Sequence, residues 1–156
     1  MSEPTGMPQP GDLAPDFVLP DVHGTPVSLA ALRGTPVALV FLPFAFSRVC
    51  GSEVQALRDN IEDFESAGVR LLGVTCDTVF ALRLWAETEG LGFDLLSDFW
   101  PHGAAAGAYG VFDPEAGVPR RGSFLIDGDG LVRWRTLSPP GTARDLGEYR
   151  AALAAL

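Results

Sequence analysis

A chain of 156 residues suits one domain that buries about two-thirds of its unfolded surface, so neither a disulfide framework nor a structural metal is required. The net charge of −9 leaves no basic footprint and excludes the nucleic-acid-binding classes. Only two cysteines, no apolar run near the roughly 20 residues that span a bilayer and no leader-like start together predict a cytoplasmic protein, without membrane or nucleic-acid partners.

Residues 1–10 are rich in Pro, Gly and polar groups and read as a flexible lead-in, and residues 11–156 as a single domain. Residues 16–19 and 27–29 alternate about His23-Gly24, which predicts a small hairpin. Leu32-Arg33-Gly34 reads as one helical turn ended by glycine. The unbroken apolar run 37–42 predicts a buried strand. From Ser47 to about Ala67, the apolar residues Val54, Leu57, Ile61 and Phe64 recur at helical spacing, with Ser47 at the N-cap and Gly68 as the stop. Residues 69–74 form a second apolar strand and 78–89 a helix, with Leu82 and Trp85 on a face adjoining that of Phe80 and Leu84. Residues 93–96 form a short strand and 103–109 a helix of small residues. Strands over 122–126 and 131–135 flank the turn Asp127-Gly128-Asp129-Gly130, and residues 143–156 close the chain as a helix. Alternating strands and helices in the middle imply parallel pairing, and the late hairpin an antiparallel edge: an α/β fold with a mixed central sheet between helices.

This order puts Cys50 where a strand turns into a helix. There the first backbone N–H groups point at the sulfur and the helix dipole favours negative charge, conditions that make a thiolate nucleophile. Ser47, one turn earlier, can face the sulfur with its hydroxyl. Pro43 ends the strand and walls one side of the thiol. Glu53, one turn beyond Cys50, reads as an orienter or ion-pair partner, because a lone carboxylate beside a thiol disfavours the thiolate.

Pro43-x-x-x-Ser47-x-x-Cys50 resembles the active-site motif of peroxiredoxins. The longer stretch from Phe41 through Cys50 to Glu53 is similar to the one-cysteine E-type alkyl hydroperoxide reductases of actinobacteria. So are Ala14-Pro15-Asp16-Phe17, the segment from Leu95 to Gly103, Tyr109-Gly110-Val111-Phe112 and Arg121-Gly122-Ser123-Phe124. The resemblance spans about residues 11–155 and implies a thioredoxin-like fold. It also implies a cofactor-free thiol peroxidase that reduces hydrogen peroxide and organic hydroperoxides. In this resemblance Arg121 matches an arginine that steadies the thiolate and the transition state. Cys50 becomes a sulfenic acid, while Ser47 and the Cys50 N–H hold the peroxide oxygens. Ser47 replaces the commoner threonine and keeps its hydroxyl. A homodimer is implied, with the loops near Phe44 and Trp85 as its contact.

Cys76 is the one candidate for a resolving cysteine. It closes a strand, where the two-cysteine members carry no resolver, and reads instead as a small buried residue. The cycle then needs an external thiol: a mycothiol-like small thiol, a mycoredoxin- or glutaredoxin-like protein, or a thioredoxin-like one. Two rival functions share this fold. A thiol–disulfide oxidoreductase would need a Cys-x-x-Cys pair, whose first position is Ser47 here. A redox sensor would oxidise at Cys50 without turnover. Arg120, His23 and His102 read as surface or turn residues, and no Cys/His cluster has metal spacing. Trp85, Trp100 and Trp134 read as core or interface aromatics. Phe44 and Phe46 line either a peroxide entrance or a dimer surface. Asp127-Gly128-Asp129-Gly130 lacks the downstream ligand of a calcium loop.

Overall fold

A computed structural model describes residues 6–156. Its centre is a five-stranded sheet in the order β5-β4-β3-β8-β9. The strands are β3 (Val37–Phe41), β4 (Arg70–Thr75), β5 (Asp94–Ser97), β8 (Arg121–Ile126) and β9 (Val132–Ser138). β3, β4 and β5 run parallel, whereas β8 pairs antiparallel with both β3 and β9. This is the mixed sheet expected from the element order. The early hairpin is β1 (Val18–Pro20) with β2 (Pro26–Ser28), and a single 3-10 turn, Ala30–Leu32, follows it.

All five residues of β3 are buried, because helices cover one sheet face and the hairpin side covers the other. Successive side chains alternate between two cores. Leu39, Phe41, Leu72, Val74, Phe124 and Ile126 face Phe17, Leu19 and Tyr109. Ala38, Val40, Leu42, Leu71, Leu95 and Leu125 face the helices. These are α1 (Arg48–Asp59), α2 (Ile61–Ser66), α3 (Val79–Glu89) and α5 (Leu146–Ala154), which contribute Val54 and Leu57, Phe64, Leu82 and Trp85, and Tyr149 and Leu153. α4 (Ala104–Ala108) lies on the other side, with Ala105 and Ala106 buried. None of the helices among the described residues is long and apolar enough to cross a membrane.

Four expectations are corrected. The single helix over 47–67 is two helices that break at Asn60, whose side-chain amide donates to the Ala56 carbonyl at 2.8 Å. Asparagine competes for helix carbonyls in this way. The closing helix starts at Leu146, capped by Asp145, and residues 143 and 144 remain outside it because Arg144 turns inward. A small ribbon of β6 (Phe112–Asp113) and β7 (Val118–Pro119) was not expected, its strands being too short to show a period. A loose lead-in over residues 1–10 does not hold at Met7, which is buried and whose carbonyl accepts from Arg135. Gly110, at φ 70°, lets the backbone of residues 6 and 7 pass where a Cβ would meet Met7 N at 2.6 Å. Residues 1–5 lie outside the described residues.

The topology also places two distant segments side by side. The β3–β8 register pairs Val40 with Ser123. Continued by two residues, it sets Arg121 level with Leu42, at the end of β3 from which the chain turns toward Cys50.

Candidate active site

Leu42 still donates to the Val74 carbonyl, and Pro43, with no N–H to offer, ends the strand. The loop that follows is held from the side: Ala45 N donates to Asp77 Oδ2 at 2.8 Å. Among the described residues Phe46 is the one non-glycine with positive φ, 66°. That backbone is costly for a bulky residue, and here the ring settles 6.2 Å from that of Trp85. α1 then begins, with Gly51 N donating to the Ser47 carbonyl at 2.7 Å. Cys50 is the third residue of this helix and is fully buried as a free thiol.

Arg121 reaches the sulfur. Its Nη1 lies 3.2 Å from Cys50 Sγ and 2.8 Å from Glu53 Oε1, so one nitrogen donates to both. Glu53 is itself a hub. Oε2 accepts from Arg144 N at 2.9 Å and from Arg144 Nε at 2.7 Å, and Oε1 accepts from Arg144 Nη2 at 3.0 Å. Arg144 Nη1 donates to the carbonyls of Phe41 and Gly122 and to Ser123 Oγ. Ser123 Oγ meets Tyr149 OH at 2.6 Å, and burial pushes the Tyr149 phenol up, which keeps it neutral. The side chains of Glu53, Arg121 and Arg144 are 5%, 7% and 2% exposed.

The charge balance of this cluster bears on the thiol. Two guanidiniums against one carboxylate leave a buried net charge of +1, and a thiolate at Cys50 brings it to zero. Burying an ion costs several kcal/mol. A guanidinium at 3.2 Å offsets this with an attraction on the order of 5 kcal/mol at an effective dielectric near 20. Glu53 therefore does not stand as a lone carboxylate beside sulfur; its charge is already taken up by Arg121 and Arg144.

Pro43, Ser47 and Arg121 line a pocket of about 350 Å³ beside this cluster. Ser47 holds the N-cap position of α1, as expected, but its hydroxyl caps no helix N–H; it donates to the Phe44 carbonyl at 3.2 Å, on the pocket side. Arg121 Nε is buried and has no hydrogen-bond partner. Arg144 was missed by the sequence reading. It sits outside any periodic element, and its one signal is a solitary arginine directly before the Asp145 cap.

Cys76 is 6% exposed. Burial, and then the charges of Asp98 and Asp77, push its thiol up to about 12. It thus stays a neutral thiol at neutral pH, in keeping with the small buried residue expected from the sequence. Trp85 is fully buried and belongs to the core, so it cannot itself be a dimer contact. Trp100 is exposed, and Trp134 packs against Tyr149. His102 lies away from the cluster and ties Phe99 to Gly117 through their carbonyls.

A family model described as AhpC/TSA matches residues 10–135. Alkyl hydroperoxide reductase E of Mycobacterium tuberculosis is 42% identical over 147 residues, which cover 94% of this chain and 96% of that protein. Among solved structures, peroxidoxin BcpB from Mycobacterium tuberculosis superposes with a TM-score of 0.85 at 31% identity, over 96% of this chain and 98% of that one. AhpC of Enterococcus faecalis superposes with a TM-score of 0.86 at 25% identity, over 96% and 92%.

Two measurements probe the cluster and the second thiol. Arg144→Leu leaves Glu53 short of a partner and takes a donor from the Phe41 and Gly122 carbonyls; urea unfolding is expected to show a loss of about 3–5 kcal/mol. For Cys76 the folded pKa, about 12, lies above the ordinary 9.0. The folded chain therefore holds a proton that the unfolded chain sheds, and stability falls as pH rises from 9.0 toward about 12. In Cys76→Ala that part of the alkaline slope is expected to vanish; an unchanged slope contradicts the assignment.

Proposed function

Given that the chain belongs to the AhpC/TSA family of peroxiredoxins, and is a thiol-dependent peroxidase that reduces peroxides, we propose that Cys50 is its peroxidatic residue, with Arg121, Ser47 and Pro43 around it and Glu53 and Arg144 in support. The observation that carries this reading is the 3.2 Å approach of Arg121 Nη1 to Cys50 Sγ at the first turn of α1.

The peroxide enters beside Ser47 and Arg121. The Cys50 thiolate attacks the terminal oxygen, the S–O bond forms and the O–O bond breaks. Sulfur is oxidised by two electrons to a sulfenic acid, and the departing alkoxide or hydroxide takes up a proton to leave as alcohol or water. Arg121, fixed by Glu53 with Nη1 beside the sulfur, faces the charge as it moves from sulfur to the leaving oxygen. The Ser47 hydroxyl turns from the Phe44 carbonyl to a peroxide oxygen. Pro43 and the apolar wall exclude competing water.

An external thiol then attacks the sulfenic acid, releasing water and forming a mixed disulfide, and a second thiol restores Cys50. A mycothiol-like thiol, a mycoredoxin- or glutaredoxin-like protein or a thioredoxin-like protein meets this need, in a reducing cytoplasm where both thiols stay free. Cys76, buried and protonated, does not serve as the resolver.

A homodimer fits the surface. Phe44, Phe46, Phe80 and Leu84 are each about half exposed or more. They come from the 43–47 loop and from α3, which the Phe46–Trp85 contact joins. A second copy covering this patch is the reading of the expected dimer, with Phe80 and Leu84 as the exposed residues near Trp85.

Cys50→Ser is expected to abolish peroxide consumption, and Cys76→Ser to leave it near the starting rate; activity surviving in the former sinks the assignment. Mass spectrometry after one equivalent of peroxide is expected to show Cys50 sulfenic acid, not a Cys50–Cys76 disulfide. Sustained turnover with a thiol separates an enzyme from a sensor, and failure to reduce insulin separates it from a dithiol exchanger. In sedimentation analysis Phe80→Ser with Leu84→Ser is expected to shift a dimer to monomer; an unchanged mass contradicts this contact.

A further inference from the structure

We propose that Asp77 is a positioning residue of the peroxidase reaction: its carboxylate holds the 43–47 loop so that the Ser47 hydroxyl meets the peroxide beside Cys50. The inference rests on Cys50 as the peroxidatic thiol with Ser47 facing the substrate, and it adds a residue from outside the Pro43–Cys50 motif.

The first observation is that the loop needs holding. Pro43 has no N–H to offer, and α1 begins only at Arg48. Between them Phe46 sits at φ 66°, in the left-handed region that a bulky side chain disfavours. Such a backbone persists only where its surroundings over-determine it. Among the described residues, one hydrogen bond joins residues 43–46 to a distant part of the chain: Ala45 N donates to Asp77 Oδ2 at 2.8 Å. The ring of Phe46 beside that of Trp85 is a second hold. It comes from the same side, since α3 starts at Val79, just after Asp77.

The second observation is that Asp77 is itself held. Its N–H donates to Thr75 Oγ1 at 3.0 Å, and its carbonyl accepts from Ser97 Oγ at 2.6 Å. Thr75 and Ser97 pair across β4 and β5 as the last residues of those strands, and both are buried. A buried hydroxyl needs a partner; here both hydroxyls fix the backbone of one aspartate. The carboxylate is thus presented to the loop from the rigid end of the sheet. A charged acceptor also makes the stronger hydrogen bond.

The third observation is what the loop carries. The Ser47 hydroxyl donates to the Phe44 carbonyl at 3.2 Å, so the group and the acceptor it leaves on turning to a peroxide both belong to this segment. Ala45 lies between them, and the Asp77 bond is made at its N–H. Cys50, Glu53 and Arg121 stand apart from the loop, on α1 and β8, and are joined at 3.2 and 2.8 Å through Arg121 Nη1. Loss of the Asp77 bond therefore displaces Ser47 and leaves the thiol and its cation in place. Asp77 acts as an acceptor that aligns the substrate through Ser47, and not as a charge on the sulfur.

The test follows oxidation of Cys50 by hydrogen peroxide alone, by stopped flow without any reductant. The variants are Asp77→Ala, Asp77→Asn, Ser47→Ala, and Asp77→Ala combined with Ser47→Ala. Asp77→Ala is expected to slow oxidation about tenfold, within the roughly hundredfold that a misplacement of about 1 Å can cost. Asp77→Asn keeps an acceptor oxygen without the charge and is expected to recover most of that loss. Ser47→Ala is expected to lose at least as much as Asp77→Ala. In that background Asp77→Ala is expected to cost less than about twofold, because the hydroxyl it positions is gone. If Asp77→Ala does not fold, Ser97→Ala, which frees the Asp77 carbonyl, takes its place, with a smaller fall expected that Ser47→Ala again removes. A native rate in Asp77→Ala, or in Ser97→Ala where it is the substitute, overturns the proposal. So does an Asp77→Asn as slow as Asp77→Ala, which assigns the effect to charge, and so do independent, multiplicative losses in the combined variant. Failure of hydrogen peroxide to oxidise Cys50 in the native protein is a different result: it overturns the peroxidase reading, and the positioning role with it.

Discussion

One buried carboxylate organises this molecule. Glu53 receives Arg121 from β8 and Arg144 from the segment before α5, and it stands one turn from Cys50 on α1. Two parts of the chain far from α1 in sequence converge on its two oxygens. A buried ion pair is poor evidence of stability in itself, because desolvation consumes most of what attraction returns. Here the excess positive charge has another consequence: the cluster is short of one negative charge, which a thiolate at Cys50 would make up. The arrangement that holds the fold together at this point is the same one that prepares the sulfur.

The strand order explains why the arrangement is possible. β3 is central, so its C-terminal end is flanked by β4 on one side and β8 on the other. The parallel neighbour supplies Asp77, which fixes the loop at Ala45. The antiparallel neighbour starts with Arg121 level with the end of β3, pointing its guanidinium at the first turn of α1. Arg144 then locks the back of the site by binding the carbonyls of Phe41 and Gly122, one from each of the two central strands. Cys50 and Glu53 are set by α1 and Arg121 by β8, two rigid elements that keep the three within hydrogen-bond range without a ligand.

Much of this was legible in the chain. The apolar run at 37–42, the stripe Val54, Leu57, Ile61 and Phe64, and the glycine after Ala67 carry their own periodicity, so the strand and helix around Cys50 could be read directly. The motif from Pro43 to Cys50 and the matching position of Arg121 came through resemblance. What was not legible has a common cause. Asn60 breaks a helix through a side-chain bond that no periodicity signals. Ser47 occupies a cap position yet bonds backward to Phe44. Trp85 shares a helix with exposed Phe80 and Leu84 but is covered, in part by the ring of Phe46, itself on a left-handed backbone. Each outcome turns on a neighbour brought in from elsewhere.

By itself the sequence determined the order of elements, the turn at which Cys50 sits and the residue types available to it, because hydrophobic period, proline and glycine act over a few residues. It also determined that no second cysteine stands one turn from the first. Only the tertiary structure decided that Glu53 is shared between two arginines, that Arg144 turns inward rather than extending α5, that the Cys76 thiol is buried beside Asp77 and Asp98, and that the Asp77 carboxylate meets the loop before α1. The physical reason is range. Charge pairing and burial depend on distance in space, and β3–β8 pairing brings together residues some seventy positions apart, a proximity that no local pattern encodes.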